Sequence, residues 1–177
     1  MIGVRITAVA VAMIVLVGGC STAPSAQPGL TAESASETNA AYLEESLAGL
    51  PSGTQLWTSN PRLPSVPCVG SPPYDDAPRR TGAIFVARGL SGSTSAALDG
   101  LVRYWTEDRG YTPVTDTRTE APGSTSDAFA SVDTPDDYRL AAATRSDVGL
   151  TVNISSPCYE AAGEGGGPLY PETIGPA

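Results

Sequence analysis

The segment Asp137–Tyr159, DYRLAAATRSDVGLTVNISSPCY, decides the fold class. Tyr138–Thr144 is one strand-like run, Arg145-Ser146-Asp147 is a polar turn, and Val148–Ser155 is a second run. In the second run Val148, Leu150, Val152 and Ile154 alternate with Gly149, Thr151 and Asn153. A period of two predicts a strand with one buried and one polar face. The pattern continues upstream. Thr112–Glu120 and Asp127–Asp133 are further strand candidates, separated by Ala-Pro-Gly-Ser-Thr-Ser, which signals a turn. Connections this short predict an antiparallel meander for the last four strands.

The first half of the chain adds the helices. Thr94–Arg109 has Ala97, Leu98, Leu101, Val102 and Trp105 on one helical stripe, with Gly110 placed as a left-handed cap and Tyr111 free to fold back on the last turn. Gly82–Arg88 (GAIFVAR) is nearly all apolar and suits a strand buried on both faces. Thr54–Thr58 is a short strand candidate. Thr31–Leu50 reads as a helix with Ala40, Leu43, Leu47 and Leu50 buried, a capping box at Ser34 and Glu37, and a left-handed stop at Gly49 before Pro51. Asn60–Arg80, with six prolines, reads as an irregular loop. The expected fold is α+β: a two-layer sandwich, with an antiparallel meander of about four to six strands packed by the central helix and an N-terminal helix.

The N-terminus carries a different signal. In MIGVRITAVAVAMIVLVGGC, Arg5 precedes an apolar run from Ile6 to Val17, and Gly18-Gly19 precede Cys20. A helix of that run rises about 18 Å, short of the ~30 Å hydrocarbon core, so it reads as a signal peptide and not a span. The pattern resembles a bacterial lipobox, with Val17 where that motif more often has Leu, and Cys20 is the expected site of diacylglycerol and palmitate attachment. The organisation expected is then a signal peptide at 1–19, a flexible lipidated tether at 20–30, a single α+β domain at 31–160 and a disordered Gly/Pro-rich tail at 161–177. The expected location is the extracytoplasmic side of the cell membrane, held by acyl chains that anchor at about 0.8 kcal/mol per buried CH2.

With Cys20 assigned to lipid, Cys68 and Cys158 remain. An exported compartment is oxidising, so a disulfide between them is the default. It would close a loop of about 90 residues, worth on the order of 4–5 kcal/mol in the chain-entropy model. All ten basic residues are Arg, and there is no Lys or His. Without the signal, nine Arg face nineteen acidic residues, a net charge of −10. Such a surface repels nucleic acid and anionic lipid alike.

The missing residue types narrow the chemistry. Without His or Lys there is no Ser-His-Asp or Cys-His catalysis, no Schiff base, no P-loop lysine and no histidine-ligated metal. Gly89-Leu90-Ser91-Gly92-Ser93 is superficially like a nucleophile elbow, but its glycine spacing is wrong and it reads as a helix N-cap. Asp133, Asp136 and Asp137 have calcium-type oxygens but read as a polar hairpin turn. Asp75-Asp76 beside Arg79-Arg80 reads as a solvated loop with local charge pairing. Trp57, Trp105, Tyr104 and Tyr111 could line a pocket, although Trp105 fits the core better. No catalytic residue, cofactor or metal is expected.

The chain resembles small actinobacterial lipoproteins of the mycobacterial LppA kind. The features that carry the resemblance are the lipobox Cys20, a helix running into LPSGTQLWTSNP (Leu50–Pro61), Cys68 in an irregular loop, a helix ending at Arg109-Gly110-Tyr111, and the segment quoted at the outset, closing on Cys158. The resemblance implies an exported α+β lipoprotein with one disulfide, and no activity. Two functions therefore stand as expectations. One is a non-enzymatic module that binds an envelope protein or supports a surface assembly. The other is a small-ligand or lipid carrier with a cavity between helix and sheet.

Overall fold

The computed structural model describes residues 25–61, 65–68, 77–118, 127–161 and 170–176. Nine strands and two helices are present among them: α1 (Ala32–Ser46), β1 (Gln55–Trp57), β2 (Val66–Pro67), β3 (Arg79–Arg80), β4 (Gly82–Arg88), α2 (Thr94–Arg103), β5 (Thr112–Asp116), β6 (Phe129–Asp133), β7 (Arg139–Arg145), β8 (Gly149–Ser155) and β9 (Thr173–Ile174). Seven strands form one antiparallel sheet in the order β5-β6-β7-β8-β4-β1-β9. The α+β two-layer arrangement and the meander from β5 to β8 are as expected, and the sheet is wider than expected. The extra ribbon β2–β3 lies inside the segment expected to be irregular.

One side of the sheet meets the helices. Ala83, Phe85, Ala87, Leu140, Ala142, Leu150, Val152 and Ile154 point there and are buried with Leu98, Leu101 and Trp105. The expected α2 stripe is buried at every position. Ser93 caps the helix, accepting from the Ala96 N–H at 3.1 Å. Beyond Arg103 the helix widens into a π-turn over Tyr104–Asp108, in which the Arg109 N–H donates to the Tyr104 carbonyl. Gly110 then takes φ +67 and the Tyr111 N–H returns to the Trp105 carbonyl, as the spacing predicts.

Several expectations fail for identifiable reasons. Helix α1 is capped by Thr31, not Ser34. The Thr31 hydroxyl accepts from the Ser34 N–H, and the Ser34 hydroxyl accepts from the Thr31 N–H. Its buried face is Ala35, Ser36, Asn39, Leu43 and Ser46, so only Leu43 of the expected helical stripe is fully inside; Leu50 is buried just past the helix. Gly49 does not turn left-handed. It is needed because a Cβ there would stand 2.7 Å from the Tyr104 Cβ, where the turn Leu47–Gly49 crosses α2. β4 is buried on one face only, with Ile84 57% exposed on the other, because both helices pack on the same side of the sheet. Val148 lies in the β7–β8 turn and is exposed, not buried.

The tail differs most from expectation. Residues 162–169 and 177 lie outside the described residues, but Tyr170 is buried in the core and Ile174 beside it. β9 pairs with β1, matching Leu56 to Ile174 and Trp57 to Thr173. The core therefore extends past residue 160. At the other terminus the segment expected to be a free tether is already attached: the Gln27 N–H donates to the Cys158 carbonyl at 2.7 Å, before a turn at Pro28-Gly29. The signal segment, Cys20 and Asp75-Asp76 lie outside the described residues. No helix among the described residues is long and apolar enough to cross a membrane.

Candidate functional site

Cys68 and Cys158 form a disulfide, S–S 2.01 Å with Cα atoms 6.2 Å apart. The bridge joins the β2–β3 ribbon to the chain leaving β8. Backbone bonds reinforce it: Cys68 N–H to the Pro78 carbonyl, and a reciprocal pair between Arg79 and Tyr159. The Arg79 guanidinium is spent inside this junction, donating to the Ser65 hydroxyl and carbonyl.

Asp133, Asp136 and Asp137 turn to different partners. Asp133 takes a two-pronged pair from Arg139 at 2.8 and 3.0 Å. Asp136 accepts from the Tyr42 and Thr134 hydroxyls. Asp137, at φ +67, lines a shallow cavity of about 280 Å3 with Arg80, Asp133, Arg139, Ser155 and Ser156. Among the described residues no three acidic or cysteine side chains converge as metal ligands would.

A tyrosine-rich cluster fastens the helices to the β6–β7 turn. Arg109 makes a two-pronged pair with Glu45 at 2.7 and 2.8 Å, and the Tyr111 hydroxyl donates to the same carboxylate. Tyr42 packs edge-on against Tyr111 and tilted against Tyr138. Burial, then the bond to Asp136, holds the Tyr42 phenol well above its ordinary pKa; burial, then the Glu45 bond, pushes Tyr111 up to about 12. These phenols are held protonated as donors, which suits fastening and not proton abstraction. Trp105 belongs to the core, wholly buried with its indole N–H on the Ser46 hydroxyl at 3.0 Å.

The face of the sheet away from the helices is built differently. Register places Trp57 beside Val86, Val86 beside Thr151, and Ile84 beside Asn153. The Arg88 guanidinium lies 3.5 Å from the centre of the Trp57 ring, a cation–π stack on that face. Small side chains, Ser131, Ala141, Ala143 and Thr151, lie across β6 to β8. Asn153 Oδ1 is buried there and accepts no hydrogen bond among the described residues. An aromatic ring stacked with a guanidinium and an exposed Ile84 in neighbouring positions form the surface best suited to contact with another molecule. Sequence reading pointed to Trp57 but missed Arg88, Ile84 and Asn153. Only strand register brings those four together.

Compared with known proteins, the chain matches no family model, no curated protein and no solved structure.

Proposed function

We propose that this is a membrane-anchored cell-envelope lipoprotein, acylated at Cys20 on the extracytoplasmic side, whose domain serves as a non-enzymatic protein-interaction module. In this reading the outer sheet face around Trp57, Ile84, Arg88 and Asn153 receives the partner. The observation that carries it is the contrast between the helix side of the sheet and the outer side of β1 and β4; elsewhere on that outer side Ser131 and Thr151 are buried. The helix side is filled by Phe85, Leu98, Leu101, Trp105, Leu140 and Val152, each less than 2% exposed, while Ile84 on the outer side is 57% exposed beside a stacked Trp–Arg pair. The alternative, a small-ligand or lipid carrier, calls for a cavity between helix and sheet. Beneath α2 that space is occupied by the same six side chains, and the hollow of about 240 Å3 between α1 (Ala40, Glu44) and β9 (Thr173, Ile174) opens to solvent, so the carrier reading ranks second.

In-cell photocrosslinking from position 84 tests the interaction reading. A discrete protein adduct at 84, absent from a probe at Asp108 on the helix side, is the expected result. Equal or no adducts at both positions would sink it. Cys20→Ala should move the protein from the membrane to the soluble fraction; unchanged fractionation would refute the anchor.

A further inference from the structure

We infer that the disulfide end of the domain is its membrane-facing surface, resting against zwitterionic phospholipid headgroups. The inference rests on acylation at Cys20. It comes from where the tether ends. The Gln27 N–H is bonded to the Cys158 carbonyl, so the chain joins the domain at the disulfide. Seven residue steps separate Cys20 from Gln27. Fully extended they span at most about 23–25 Å. From Ser155, near the disulfide, to Val148 in the β7–β8 turn the strand runs about 23 Å. Turning that far end to the membrane would use the entire extended tether. Shorter tether extensions exclude that upright inversion and favour the disulfide end as the one nearest the bilayer.

The surface found there fits the assignment. Val66, 46% exposed, and Pro67 stand on the ribbon held by the disulfide. In the cavity beside it, Arg139 is matched by Asp133, and Arg80 pairs with no carboxylate among the described residues. Asp137 shares the cavity. One guanidinium and one carboxylate complement the phosphate and ammonium of a zwitterionic headgroup. An anionic headgroup would instead meet a domain of strongly negative net charge.

Val66 and Val148 are matched probes, 46% and 45% exposed at opposite ends. The acylated full chain, as Val66→Cys or Val148→Cys with a thiol-linked fluorophore, would be reconstituted in phosphatidylcholine–phosphatidylethanolamine vesicles carrying headgroup nitroxide lipid. Mass analysis would first verify the native disulfide and the acyl chains. The expected result is quenching several-fold stronger at 66 than at 148, with the difference shrinking when twenty Gly/Ser residues are inserted after Ala23. Acylated protein quenched equally at both positions, or more at 148, overturns the orientation alone. Absence of acyl mass at Cys20 overturns the anchor, and the orientation with it.

Discussion

Helix α2 and the C-terminal segment Tyr170–Pro176 enclose the same core by opposite means. The helix does it by repetition: five side chains at helical spacing, all buried. The tail does it with two plugs, Tyr170 and Ile174, set among glycine and proline. Tyr170 is held by partners remote in the chain. Asn39 Nδ2 donates to its hydroxyl at 2.8 Å, Thr81 Oγ1 lies 3.2 Å from it, and its ring packs edge-on against Phe85. The Gln55 side chain also donates to the Pro176 carbonyl. A segment of low apolar content can be as firmly placed as an amphipathic helix when its few large side chains fill a site built by other elements.

The sharpest way to break this comparison is to delete the chain from Gly163 onward. Losing both plugs and the β9 edge should cost roughly 5 kcal/mol or more, since emptying a buried aromatic site alone costs about 3–5 kcal/mol. Trp105→Ala should cost about 3–5 kcal/mol by the same mechanism. Denaturant unfolding of the two variants decides the matter. A deletion that leaves the midpoint unchanged would show that the tail contributes nothing to the core.

A smaller effect is expected from Tyr170→Phe. It keeps the ring and removes the hydroxyl, leaving the Asn39 amide, whose Oδ1 already has no partner among the described residues, with only a 3.5 Å contact among them from Nδ2 to the Thr81 carbonyl. The expected loss is about 1–3 kcal/mol. Stability equal to the parent would mean that the ring alone holds the tail.

The smallest effect concerns pH. Tyr111 is raised from 10.0 to about 12, and burial also raises Tyr42, Tyr138 and Tyr170. A raised pKa means that the folded state holds these protons more tightly than the unfolded chain. The Tyr111 contribution is therefore complete below pH 10 and is lost as the pH rises through about 12, and those of Tyr42, Tyr138 and Tyr170 are likewise lost only above the ordinary tyrosine range. Tyrosinate absorbance followed together with near-ultraviolet circular dichroism should show ionisation and loss of structure in step. Full ionisation near pH 10 with the fold intact would contradict the buried, bonded state of these phenols.

Legibility followed the nature of each burial. The α2 stripe, the Gly110 cap and the alternation of Leu150, Val152 and Ile154 were readable because the buried residues are apolar and regularly spaced. The buried face of α1 was not, because Ser36, Asn39 and Ser46 lie inside it. Asn39 and Ser46 meet Tyr170 and Trp105, 131 and 59 residues away. In β4 the apolar run hid the fact that only one face would be covered. For the candidate site, Trp57 stood out by type, whereas Arg88 became its neighbour only through the register of β1 with β4.

By itself the sequence determined the local periods, the central helix and its cap, and the α+β class. It also singled out the cysteine pair that the structure joins. Periodicity and end signals act within one element, through its own backbone geometry and its own side chains. Only the tertiary structure decided which side of the sheet the helices cover, which face of α1 turns inward, why Gly49 must lack a side chain, and that Tyr170 closes the core. Each of these depends on what a distant segment places against it, and burial is a property of that pairing and not of either segment alone.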